Sequence, residues 1–100
     1  MDQYIDAFIT YLKEVKHASN NTVQAYHNDL KKLNQFLKSQ NITEVDKISE
    51  TCLTSYILLL EKEGLSAASV SRNIASIKAF LLYLLKQGMI TGDPSERMKA

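Results

Sequence analysis

Residues 64–90, GLSAASVSRNIASIKAFLLYLLKQGMI, decide the fold. Val70, Ile74, Ile77, Leu81 and Leu84 recur at helical spacing and predict one apolar stripe facing a core, in a helix that begins at Ser66 and stops near Gly88. The opposite side reads differently. Ala68, Arg72, Ala75 and Ala79 fall at i, i+4, i+7 and i+11, flanked by Ser69, Ser71 and Ser76. A face with so little bulk, one arginine and several hydroxyls lets a partner approach closely. From Ser66 to Gln87 the chain carries Arg72, Lys78 and Lys86 and no carboxylate, so that partner is expected to be anionic.

Upstream, Ser49 is placed to cap a helix in which Leu53, Tyr56, Ile57 and Leu60 face inward, and Gly64 suits the left-handed position after its end. Glu50, Glu61 and Glu63 outweigh Lys62 there, so this helix is expected to face away from an anionic partner. Residues 40–48 read as a linker whose Ile42, Val45 and Ile48 plug the edge of the core. Before it, a helix from about Asn21 to Ser39, capped by Ser19 or Asn20, buries Val23, Tyr26, Leu30, Leu33 and Leu37. It turns Gln24, Asn28, Lys31 and Gln35 outward, with Ala25 and Lys32 beside them. A solvated helix surface has the same composition, so this face alone identifies no ligand.

The first helix is expected over Tyr4–Val15, with Ile5, Phe8, Ile9 and Leu12 inward and Asp2 and Asp6 near the positive end of its dipole, ending around residues 16–18. At the other end of the chain, Gly92 and Pro94 set a turn, after which 95–100 begins a fifth helix or a linker. The expectation is all-α: a compact four- to five-helix orthogonal bundle, one domain over residues 1–100 with a core that needs no metal or disulfide.

A net charge of +1 names no partner, but its distribution is uneven. Residues 19–41 carry +2 and 66–87 carry +3, against −1 for 1–18, −3 for 42–65 and 0 for 88–100. Both basic segments open on the pattern Ser-x-x-(Thr/Ser)-Val, at Ser19–Val23 and Ser66–Val70. Two hydroxyls at a helix start, beside N–H groups that have no partner within the helix, suit phosphate oxygens. Ordinary N-capping accounts for the same residues without a ligand.

Several classes fall away. The single Cys52 reads as a small buried side chain, with no second cysteine or histidine cluster at metal-ligand spacing. The acidic N-terminus is no signal peptide, and the longest apolar run, Ala79–Leu85, cannot span a bilayer, so a soluble protein in a reducing, cytoplasmic setting is expected. His17 and His27 lack evident partners, and HExxH, CxxC, GxSxG and glycine-rich phosphate loops are missing. No catalytic residue, metal site or cofactor is expected.

With the two Ser-x-x-(Thr/Ser) helices in place, the chain resembles a known family. SNNTVQAYHNDL at 19–30 resembles the S-x-N-T-x-x-A-Y-x-x-D-L signature of the N-terminal, core-binding domain of tyrosine recombinases of the phage-integrase type. GLSAASVSRNIASIKAF at 64–80 is similar to that family's G-L-S-x-x-S/T-v-x-R-x-L-S-a-I-R-x-F, and GMITGDP at 88–94 stands where G-x-I-x-x-N-P is usual. The motifs cover nearly the whole chain in the right order, closest to the Xer-type branch. The departures are His17-Ala18 for the usual Gly-Leu, Lys78 for an arginine, and Asp93 and Ser95 for Asn and Ala.

The resemblance implies a SAM-like bundle that forms half of a clamp around double-stranded DNA, with the second and fourth helices across the major groove. A catalytic domain, C-terminal to this one, is expected to close on the other face and to carry the cleaving residues; in the family four subunits assemble on two duplexes. Carried over by position, the contacts fall on Thr22, Gln24, Ala25 and Lys31, and on Ala68, Ser69, Arg72 and Ser76. Ser19 and Asn28 join them from the reading of the two helix faces. Thr22 and Ser69 are expected to hold phosphates, Arg72 to reach guanine O6 and N7, Gln24 an adenine edge, and Lys31 and Lys78 to add backbone attraction. The competing class is a helical protein–protein module without nucleic acid, in which the Ala/Ser face docks a partner helix and Arg72 meets a carboxylate of that partner.

Overall fold

The computed structural model describes residues 1–99. Its helices are α1 (Asp2–Glu14), α2 (Asn20–Ser39), α3 (Glu50–Lys62) and α4 (Ala67–Lys86), with one 3₁₀ turn at Val45–Lys47. Each start after the first has the serine cap its sequence suggested. Ser19 Oγ accepts from Thr22 N–H, Ser49 Oγ from Cys52 N–H and Ser66 Oγ from Ser69 N–H. Each satisfies one of the first-turn donors that the helix itself cannot.

α4 packs against all three other helices, which is why its sequence is the most informative in the chain. Val70, Ile74, Ile77, Leu81 and Leu84 are buried as their spacing requires, joined by Phe80, which lies one position off that stripe and is fully enclosed. They meet Ile5, Phe8, Ile9 and Leu12 of α1, Val23, Leu30, Leu33 and Leu37 of α2, and Leu53, Tyr56 and Leu60 of α3 in one cluster. Phe8 stands edge-on to Phe80 at 5.6 Å, and Tyr11 lies 4.9 Å from Tyr83, so aromatic contacts fix α1 on α4. Val45 and Ile48 plug the core edge from the linker, with Ile42 half-buried beside them.

Local backbone chemistry sets the corners. Gly64 and Gly88 adopt φ of +91° and +74°, and a Cβ at either would meet nothing within 4 Å, so conformation alone calls for glycine there. His17 takes φ of 51° at the α1–α2 corner, the position where the resembling family carries glycine. A side chain in that region is strained by about 1–2 kcal/mol.

One expectation is corrected: α1 stops at Glu14, ahead of residues 16–18, and the left-handed His17 then turns the chain. Of the two readings of 95–100, a fifth helix or a linker, the described residues take the second: 94–97 form a single turn, in which Asp93 Oδ1 accepts from both the N–H and the hydroxyl of Ser95 (2.8 and 2.6 Å); Ala100 lies outside the described residues. Among the described residues no helix is long and apolar enough to cross a membrane.

Candidate nucleic-acid interface

α2 and α4 lie side by side, and their starts are built alike. Ser19 Oγ donates to Thr22 Oγ1 at 3.0 Å while accepting from Thr22 N–H; Ser66 Oγ donates to Ser69 Oγ at 3.1 Å while accepting from Ser69 N–H. The capping hydroxyl has spent its proton, so Thr22 and Ser69 keep theirs for an outside acceptor. Thr22 is exposed and Ser69 half-buried. Neither helix has an acidic residue in its first turn, so the positive end of each dipole is unopposed.

Between the two helices sits a group whose role the residue-by-residue reading did not see. Asp29, with a side chain only 5% exposed, receives Arg72 Nε–H on Oδ2 (3.1 Å) and Arg72 Nη2–H on Oδ1 (2.8 Å). Ser76 Oγ also donates to Oδ2, at 2.8 Å. A buried carboxylate is tolerable when paired and fully hydrogen-bonded, and here every bond comes from α4. The hydrogen bonds first, and the adjacent charge second, hold the Arg72 guanidinium's pKa above its ordinary value. Arg72 is nevertheless half-exposed, at 50%, and the fork uses two of its five N–H groups, leaving the Nη1 pair and one on Nη2 without a partner among the described residues.

The structure sorts the expected site residues. Ser19, Thr22, Gln24, Asn28, Lys31, Ala68 and Arg72 are exposed, and Ala25 and Ser69 half-buried. Arg72 shares a stripe of α4 with Ala68 and Ser69, and Thr22 and Ala25 lie on the edge of α2 that carries Asp29. Gln24 and Lys31 do not join them: at about 100° per residue they sit about 140–160° around α2 from Asp29, and Gln24 bonds Asn28 at 3.3 Å.

Two residues depart from expectation. Ser76, read on the open face, is fully buried because its hydroxyl turns inward to Asp29. Lys78, read as a source of phosphate attraction, points to the chain end, where Nζ donates to the carbonyls of Ser95 (3.0 Å), Met98 (2.6 Å) and, longer, Glu96 (3.4 Å). An ammonium has three N–H groups, and all three are aimed at protein. The lower part of the small face is also covered, since Ala79 is half-buried in a groove with Phe8, Tyr11 and Tyr83. At the end of α3, Glu63 pairs with Lys32 of α2 at 3.1 Å. Burial, with Asp29 and Glu63 adding their charges, pushes the Tyr56 phenol well up.

A compact all-α bundle of this helix order is consistent with a SAM-like domain. A family model described as "Phage integrase, N-terminal SAM-like domain" matches residues 5–88, and the chain belongs to that family. It is 33% identical over 94 residues to the tyrosine recombinase XerC of Oceanobacillus iheyensis, a match covering 94% of this chain and 31% of the relative. To the tyrosine recombinase XerD of Staphylococcus saprophyticus it is 34% identical over 95 residues, covering 95% and 32%. The chain thus spans about a third of the length of the curated relatives it matches. No solved structure gives a significant match.

Proposed function

We propose that residues 1–100 form a single core-binding domain that grips double-stranded DNA for a site-specific tyrosine recombinase, laying α2 and α4 across the major groove. The observation that carries this is Arg72, half-exposed on a stripe of small residues and held in a fork from inside the chain, with three of its N–H groups unpartnered among the described residues. Thr22 and Ser69 receive phosphate oxygens at the two helix starts, with Ser19 behind Thr22. Arg72 reads a guanine edge, Ala68 and Ala25 let the duplex close in, and Gln24, Asn28 and Lys31 contact the flank of the groove. Lys78 and Ser76 drop out of the contact set.

The recombinase chemistry belongs to the remainder of the parent protein, whose other subunits complete a tetrameric complex on two duplexes. The protein–protein alternative calls for a carboxylate on a partner to meet Arg72. Asp29 already balances the charge of that arginine from within the chain, which weakens its pull on a partner carboxylate.

The test is an amide-shift titration of the labelled chain with a short duplex at low salt, repeated at high salt. Shifts concentrated in 19–31 and 66–76 that fade with salt support the reading. Amides there that stay still at millimolar duplex, with the fold intact, overturn it for this chain.

A further inference from the structure

A carboxylate close to a DNA-facing surface works against phosphate binding, yet the buried Asp29 lies directly behind this one. It ties α2 to α4, and a structural tie alone would account for its burial. It would not account for the way Arg72 is held. The fork takes the Nε–Nη2 edge of the guanidinium and leaves the Nη1–Nη2 edge outside, and that end-on edge presents parallel donors suited to guanine O6 and N7.

Two consequences follow from elementary chemistry. A free arginine side chain loses its rotamer entropy on binding; one already clamped has lost it in the folding step. The carboxylate also cancels most of the arginine's charge, so the pair attracts phosphate weakly and is valuable mainly for direction.

We infer that Asp29 is a specificity-determining positioning residue: its buried carboxylate, steadied by the Ser76 hydroxyl, aims Arg72 at a base edge and withholds it from the phosphate backbone. This rests on the DNA-binding reading above and adds to it a residue that never touches DNA. Ser76 Oγ lies 2.8 Å from Asp29 Oδ2 and 3.1 Å from the Arg72 carbonyl, and one proton serves both. Its shorter, charge-assisted contact fixes the rotation of the carboxylate, and with it the plane of the guanidinium.

The experiment starts with a randomised duplex library enriched on the wild-type chain at low salt. Affinities are then measured on the enriched duplex and on a scrambled duplex of the same composition for wild type, Asp29→Asn, Ser76→Ala and Arg72→Ala, each checked for folding by circular dichroism. Asp29→Asn is expected to cut the preference for the enriched duplex by about tenfold, while its affinity for the scrambled one holds or rises as the arginine's charge is released. Ser76→Ala is expected to lose part of the preference. Arg72→Ala loses it without any gain on the scrambled duplex.

Equal losses on both duplexes, or a wild-type preference in Asp29→Asn, overturn the positioning role and leave the base-reading intact if Arg72→Ala still loses its preference. A wild-type preference in Arg72→Ala, or no enrichment at all, overturns the base-reading itself. Should Asp29→Asn fail to fold, Ser76→Ala carries the test, and an unchanged preference there overturns the inference.

Discussion

Replacing Lys78 with methionine separates two roles that a lysine on a basic helix can have. Methionine keeps much of the stem and removes the ammonium, whose three N–H groups meet the carbonyls of Ser95, Glu96 and Met98. Hydrogen bonds from a charged donor contribute about 1.5–3 kcal/mol each, so the two shorter ones set a gross loss of several kcal/mol. The realised loss is smaller. Residues 93–98 can undock, hydrate their carbonyls and regain backbone freedom, so a cost of about 1–2 kcal/mol, that of one net charged hydrogen bond, is expected. At about 4–8 °C per kcal/mol for a chain of this size, a clear fall in melting temperature is expected. Hydrogen exchange should locate it: the Glu96 and Met98 amides, bonded to the Asp93 and Ser95 carbonyls at 3.2 and 3.0 Å, lose protection while the α2 core does not. Duplex binding should keep its salt dependence, because no phosphate contact is lost. Unchanged exchange at 95–98, together with a salt slope shallower by about 0.9, would refute the clasp and return Lys78 to the DNA.

Other perturbations test separate parts of the structure. Lys31→Ala should weaken every duplex alike and reduce the salt slope by about 0.9; a loss confined to one sequence would give Lys31 a base-reading role. Tyr56→Phe removes a hydroxyl that is buried without a hydrogen-bond partner among the described residues, and should stabilise by about 1 kcal/mol in urea unfolding; a loss of stability would show that the hydroxyl is satisfied. The same variant has a pH signature. The folded phenol titrates above the ordinary value of about 10, so the unfolded chain alone releases this proton as pH rises past that point. Stability is therefore complete below about pH 10 and falls above it by up to about 1.4 kcal/mol per pH unit, a slope that Tyr56→Phe should lack. His17→Gly relieves about 1–2 kcal/mol of left-handed strain against about 0.5–1 kcal/mol of added unfolded-state entropy, so a net gain of about 0.5–1 kcal/mol is expected; a lower denaturation midpoint would mean the His17 side chain supplies a contact.

Most of the fold is readable from spacing because it rests on local rules. Ser19, Ser49 and Ser66 cap the helices their positions indicated, and Gly64 and Gly88 take the left-handed conformation after α3 and α4. The apolar stripes of α1 and α4 are buried where a 3.6-residue repeat puts them, and those of α2 and α3 too except for the half-buried Tyr26 and Ile57. The family, too, was legible, since its motifs are those same caps, stripes and corners. The failures have a common form. Ser76 reads as a surface group from its place beside the small-residue face and Lys78 from the basic run that holds it, yet Ser76 lies close to the interior side and finds a carboxylate 47 residues away, while Lys78 finds carbonyls 17 to 20 residues on.

By itself, then, the sequence determined the helices, their buried sides, the family and the two basic segments, because capping, periodicity and charge counting each need only a few neighbouring residues. The tertiary structure decided which polar groups on those helices are still free to bind. Asp29 stands 43 residues from Arg72, and no local pattern shows that one edge of that arginine is taken and the other available; that follows only once α2 and α4 lie side by side and the buried carboxylate must find its donors.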